Sequence, residues 1–304
     1  MRLGVGLPVS GPWATPQNMR RVAIRAEELG YASLWSFQRL LHPVDEDWGP
    51  MYQGVVDPVT ALAYVAGMTS RIRLGLAVVN LPFYSPIVLS KALTTVDIMS
   101  NGRLDVGLGL GWAPQEFEAV GVSAARRGAR GEEFVACLKE IWTEPEVEFH
   151  GEFYDVPLCR VEPKPVQRPH PPLLMGGMAD AALRRIGRIA DGWISSSRAD
   201  LTTIGSSIDV VRSAAVEAGR DPEALRFVVR GVVQLTDHVH EQRTPLQGTA
   251  DQIRDDLGHL ADQGVTEVFL DLNWDPQTVS ADVDPATALG NAERVLTAFA
   301  PGPG

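Results

Sequence analysis

The sequence predicts an α/β chain folded as one (β/α)8 TIM barrel, with an insertion between the fourth and fifth strands. Two observations carry this. Eight short apolar runs alternate with helix-forming segments from one end of the chain to the other. The runs also lack strict in-out alternation, which suits strands buried on both faces of a parallel sheet. An open doubly wound sheet is the other arrangement compatible with this alternation, but eight strands with intervening helices fit closure better. A length of 304 residues is within the range of such barrels as single units, so one domain spans 1–304.

The elements follow in order. Leu3–Leu7 forms the first strand, ended by Pro8, Ser10, Gly11 and Pro12, too early for a signal peptide. Thr15-Pro16 opens a helix in which Met19, Val22, Ala23, Ala26 and Leu29 keep helical spacing until Gly30. Ser33–Trp35 is the second strand and Ile72–Val79 the third, with a helix opened by Asp57-Pro58 between them. Ser85-Pro86 opens the next helix, and Arg103–Leu108 is the fourth strand. Residues 144–172 break the rhythm. Val147–Tyr154 reads as a hairpin, and the following Pro157, Pro163, Pro165, Pro169, Pro171 and Pro172 exclude regular ladder structure. Pro172–Met175, Gly192–Ser195, Phe227–Val233 and Glu267–Leu272 are strands five to eight. Asp221-Pro222 marks one helix start between them, and Thr249 with Gln252 a capping box before Ile253, Leu257, Leu260 and Ala261.

Charge and cysteine usage exclude some functions. Acidic residues outnumber basic ones by 38 to 27, a net charge of −11, which disfavours a nucleic-acid partner. A small anionic cofactor needs only a local pocket of donors and is not excluded. No apolar run is long enough to span a membrane, and two widely separated cysteines, Cys137 and Cys159, point to a reduced, cytoplasmic setting. No hydrolase, zincin or phosphate-loop motif occurs. His238-Val239-His240 has metal-ligating residue types without visible partners.

Candidate chemistry collects where strands end, the face that carries catalysis in barrels. Gly107-Leu108-Gly109-Leu110-Gly111-Trp112 lets backbone approach a ligand closely, or makes a tight corner, and it fails the Rossmann pattern at Trp112. Met175-Gly176-Gly177-Met178 runs into a helix, whose free amides suit a phosphate. Ser195, Ser196, Ser197 and Arg198 end the next strand and offer further donors. Gln38 and Arg39 follow the second strand, as contacts to cofactor or substrate or as a solvated loop. Trp13, Trp48 and Trp112 line a pocket on this face or pack there. Arg126-Arg127 with Arg130 reads as a solvated helix start that a polyanionic tail could also use.

Together these segments resemble the luciferase-like monooxygenase superfamily, in its coenzyme F-420 branch, along nearly the whole chain. The resemblance is carried by Gly30–Trp35 with Arg39–Pro43, Arg73-Leu74-Gly75, Asn101–Trp112, Glu116-Phe117, Pro163–Gln167, Gly176-Gly177 and Ala190–Ile194. It implies a barrel oxidoreductase, dimeric, with a deazaflavin (coenzyme F-420, an 8-hydroxy-5-deazaflavin) or FMN at the mouth and a small-molecule substrate. It implies a cis peptide bond at Ala77–Val78 under the ring, the phosphate on Gly176-Gly177, and Trp112, Gln115 and Glu116 beside the ring. One departure stands out: sugar-phosphate and alcohol dehydrogenases of the family place an Asp-His pair where Gln38-Arg39 stands. Neither residue accepts a proton at neutral pH, so hydride exchange with an unsaturated substrate fits better than histidine-base chemistry. Gln38, Arg39 and Glu116 are the expected polar contacts. An FMN-dependent monooxygenase and a barrel that binds a ligand without catalysis are the alternatives.

Overall fold

The computed structural model describes residues 1–239 and 242–302. Eight parallel strands close on themselves: β1 (Arg2–Gly6), β2 (Ser33–Ser36), β3 (Arg73–Leu76), β4 (Leu104–Gly109), β5 (Leu173–Gly176), β6 (Gly192–Ile194), β7 (Arg226–Val232) and β8 (Glu267–Asp271). Each pairs with its neighbours in chain order, and Leu3↔Val268 joins β1 to β8. The expected barrel is therefore observed. Beyond β3 the chain kinks through Ala77 and Val78, then rejoins β4 with Val79 opposite Leu108. The third strand thus ends earlier than its apolar run.

Helices α1 (Pro16–Glu28), α2 (Pro58–Ala66), α3 (Pro86–Met99), α4 (Pro114–Val120) and α5 (Arg127–Thr143) follow the first four strands. Helices α6 (Asp180–Ile189), α7 (Ile204–Glu217), α8 (Ala250–Asp262), α9 (Pro276–Val279) and α10 (Pro285–Ala298) complete the ring. Thr15 and Asp57 cap α1 and α2 by accepting the amides of Asn18 and Thr60. The Thr249–Gln252 capping box is present. Two expected starts differ. Ser85 precedes α3 without a side-chain capping bond, and Asp221 caps only a single 3-10 turn, Pro222–Ala224.

The insertion forms its hairpin from Val147–His150 and Asp155–Cys159, so the second strand lies later than expected and contains Pro157. The pairing slips there: Phe149 faces Val156 whereas Val147 faces Cys159. A proline without an N–H is tolerated at such a bulge of a two-stranded ribbon.

The barrel interior has its own apolar core. Trp35 and Phe269 stack at 5.3 Å among Ala77, Leu174, Ile194 and Val228. Below them, at the N-terminal ends of the strands, lies an ionic floor. Asp105 sits between Arg73 and Arg226, each with a closest approach of 2.6 Å. Glu267 accepts from Ser33 Oγ at 2.5 Å, from Trp35 Nε1 at 3.0 Å and from Arg226 at 3.1 Å. Burial opposes the Asp105 charge, but Arg73 and Arg226 outweigh it and hold the carboxyl below its ordinary range. Among the described residues no helix is long and apolar enough to cross a membrane.

Candidate active site

Above the apolar core, at the C-terminal ends of the strands, the barrel opens into a cavity of about 620 Å³. Its floor is the kink after β3. The Ala77–Val78 peptide bond is cis, where the family resemblance located it. Ala77 N–H donates to Ser36 O at 2.7 Å, and Gln38 N–H to Val78 O at 3.2 Å. The Arg230 guanidinium donates to Ala77 O.

Gln38 and Arg39 leave β2 at the same level. The Gln38 amide is committed: its Oε1 accepts Asn80 N–H at 2.9 Å, and its Nε2 meets the Tyr84 hydroxyl at 2.5 Å. Gln38 therefore lines the cavity while tying β2 to the loop after β3. The Arg39 side chain is 5% exposed and lies 2.9 Å from Glu116 Oε2. That approach is not aligned as a hydrogen bond, and Nε and Nη1 of Arg39 have no hydrogen-bond acceptor. Aromatic rings surround the guanidinium instead: Tyr52 and Trp112 at 4.7 Å and Trp48 at 5.3 Å. Burial pulls the Arg39 pKa down, partly offset by Glu116.

The glycine run after β4 forms the next wall. Gly111 adopts φ +72°, a conformation that costs a side-chain-bearing residue, and its N–H reaches Asn80 Oδ1 at 3.0 Å. This turn carries Trp112, 44% exposed, over which Arg198 also stacks at 5.2 Å.

The opposite end is the β5–α6 turn. Trp193 Nε1 donates to Gly177 O at 2.8 Å and fixes the turn. Ala182 is the first residue of α6 whose N–H finds a backbone acceptor, Ala179 O at 2.8 Å. The amides before it are the free donors of a helix start, at its positive end. A Cβ on Gly177 would lie 2.7 Å from the Ala182 Cβ, so glycine lets the turn pack on its helix. Ser195, Ser196, Ser197 and Arg198 flank this end, and Arg127 and Arg185 border it from α5 and α6.

Of the residues singled out in the sequence, Gln38, Arg39, Ala77, Val78, Gly111, Trp112, Gly176, Gly177, Met178, Ser195 and Ser196 line the cavity. Three do not. Met175 is buried in the core below. Gln115 turns toward Glu46 at 2.5 Å. Glu116 is fully buried behind Arg39, where its Oε1 accepts Leu40 N–H at 2.7 Å. Trp13 packs in the core, and Trp48 stands behind Arg39. Of the arginine group before α5, Arg127 lines the cavity, whereas Arg126 pairs with Glu152. His240 lies outside the described residues; among those, no cluster of three or more His, Cys, Asp or Glu could hold a metal.

Sequence reading missed Tyr52, Trp274 and above all Arg230, which is 3.2 Å from Asp271 and stacks on Trp274 at 4.1 Å. Its one visible signal was a charged residue inside the apolar run Phe227–Val233. Burial pushes the Asp271 carboxyl up, despite Arg230 and Asn273. The cavity lining thus holds five arginines, at 39, 127, 185, 198 and 230, and no Asp, Glu, Lys or His among the described residues.

Comparison with known proteins agrees with this architecture. Residues 2–246 match the model of the Luciferase-like monooxygenase family. An uncharacterised protein of Mycobacterium tuberculosis is 28% identical over 291 residues, 90% of this chain and 91% of that one. The FMNH(2)-dependent dimethylsulfone monooxygenase of Pseudomonas putida is 32% identical, covering 62% of this chain and 52% of its own. The F420-dependent glucose-6-phosphate dehydrogenase of Amycolatopsis mediterranei is also 32% identical, covering 64% and 58%. Among solved structures, the monooxygenase RslO1 from Streptomyces bottropensis superposes with a TM-score of 0.80 at 23% identity, over 99% of both chains. With its barrel closed, its cavity at the strand ends and its sequence matched from residue 2 to 246, the chain belongs to the luciferase-like monooxygenase family.

Proposed function

We propose that the protein is an oxidoreductase that passes a hydride between the deazaflavin coenzyme F-420 and a small unsaturated organic substrate. The observation that carries this is the cavity's charge. A chain of net charge −11 lines one cavity with five arginines and, among the described residues, no carboxylate. Such a cavity fits a ligand that is anionic at one end and flat at the other. The donor set fits the cofactor: free amides before α6, the hydroxyls of Ser195 to Ser197, and Arg127 and Arg185 for its phosphate and acidic tail. Gly176 leaves open the space beside Val78, where a Cβ would come 3.6 Å from the Val78 side chain. The cofactor, when bound, supplies the two-electron chemistry.

The chain's own residues bind, orient and exclude water. The kink at Ala77–Val78, tied down by Gln38 and Arg230, offers a fixed ledge for a ring. No base lines the cavity among the described residues, so oxidation of an alcohol by proton abstraction lacks its acceptor. Reduction of a conjugated carbonyl or imine needs only a proton donor, which the Tyr52 hydroxyl or solvent provides. An FMN-dependent monooxygenase is the second reading, favoured by the same missing base and by the FMN-using relative from Pseudomonas putida. Anaerobic absorbance kinetics separate the two. The first reading expects chemically reduced deazaflavin to be reoxidised by a member of a panel of enones and imines, with no oxygen consumed. Oxygen uptake with reduced FMN, and no turnover of deazaflavin by any panel member, would overturn it.

A further inference from the structure

We propose that Arg39, boxed by Trp48, Tyr52 and Trp112, is the receptor for an oxyanion, a carboxylate or enolate, carried on a flat unsaturated substrate. This deepens the functional reading and rests on it, because it takes the α6 end of the cavity as the cofactor's anion site and leaves the β2 end for substrate. Four observations converge at the β2 end. First, Arg39 lines the cavity with a side chain only 5% exposed, yet its Nε and Nη1 lack hydrogen-bond acceptors. Donors buried without partners are costly unless something occupies them.

Second, the carboxylate beside Arg39 does not use it fully. Glu116 spends Oε1 on Leu40 N–H, and its Oε2 meets Nη1 at 2.9 Å out of line. Third, Arg198 stacks on the same Trp112 ring as Arg39, so this end holds two guanidiniums against the one carboxylate that pairs with Arg39. The exposed Glu46 stands on the rim, but it is engaged by Trp48 Nε1 and Gln115 Nε2 and does not line the cavity. Fourth, the Tyr52 and Trp112 rings line the cavity beside Arg39, aromatic surface that favours a planar, polarisable body over a sugar or a saturated chain. A planar guanidinium can meet a carboxylate's two oxygens with two N–H donors.

The test is quenching of intrinsic tryptophan fluorescence, with Trp112 as reporter, on protein first saturated with deazaflavin. Benzoate is the probe, and benzyl alcohol its neutral counterpart of the same shape. Saturable quenching by benzoate is expected, with benzyl alcohol about tenfold weaker or worse. Arg39→Gln should weaken benzoate by about tenfold. Arg39→Lys, which keeps the charge and loses the planar fork, should fall between. Equal binding of acid and alcohol to the wild-type protein would overturn the assignment, and this comparison does not depend on whether a variant folds. Benzoate released competitively as deazaflavin is added would also overturn it, since the acid would then occupy the cofactor's site. Deazaflavin binding without benzoate reports on the functional reading separately. If the cofactor binds and benzoate does not, the receptor falls and that reading stands.

Discussion

Trp35 reaches the barrel centre because two neighbouring positions give up their side chains. A Cβ on Gly75 would stand 2.3 Å from the Trp35 ring, and one on Gly4 would stand 3.1 Å from its Nε1. Gly75→Ala should therefore destabilise the protein by about 1–3 kcal/mol through overpacking. Urea denaturation checks this, and pairing the change with Trp35→Leu should recover part of the loss, a coupling expected only for residues in contact. Gln38 makes a second residue-scale prediction. Tyr84→Phe removes one partner of its buried amide and should cost about 1 kcal/mol, read from the same denaturation curves.

Residue by residue, the site was legible where side chains leave strand ends. Gln38 and Arg39 were readable because they directly follow the apolar run of β2. Glu116 was named beside Arg39 as a polar contact but is buried while Arg39 lines the cavity, since no spacing rule reports which member of a buried pair faces the space. Arg230 and Asp271 went unread because each sits inside an otherwise apolar run. Their pairing across β7 and β8 exists only once the barrel closes.

At the scale of elements, helix starts were the most readable features. Thr15, Asp57 and Thr249 cap as their spacing dictates. Thr249→Ala should cost about 1 kcal/mol in thermal or urea unfolding by removing one side of the capping box. The insertion was less readable. Its second strand tolerates Pro157 because the ribbon slips register there, and proline counting cannot foresee a slip. The turn before α6 carries the functional prediction at this scale. Gly177→Ala would drive a Cβ to 2.7 Å from Ala182 and push the first turn of α6 off the cavity. Deazaflavin affinity should fall about tenfold in fluorescence titration, with a much smaller effect on melting temperature.

Across the whole molecule, charge is sorted by location. The exterior is acidic, the cavity is lined by arginine, and the base of the barrel is closed by the Asp105, Arg73, Arg226 and Glu267 network. Asp105→Asn leaves two guanidiniums short of a buried partner and should cost about 3–5 kcal/mol at neutral pH. The folded-state pKa of Asp105 is depressed, so its contribution is fully present above the unfolded value and is lost as pH falls through the folded one. The stability gap between wild type and Asp105→Asn should therefore hold from neutrality down to about pH 4 and close below it, as denaturation across a pH series would show. The floor fixes the barrel on which the mouth is built.

The most direct test is a pair of equilibrium titrations of the purified protein, one with the deazaflavin coenzyme and one with FMN, followed by cofactor fluorescence. Saturable deazaflavin binding, with FMN much weaker, is the predicted result. Saturation by FMN alone, or by neither molecule, would contradict the account.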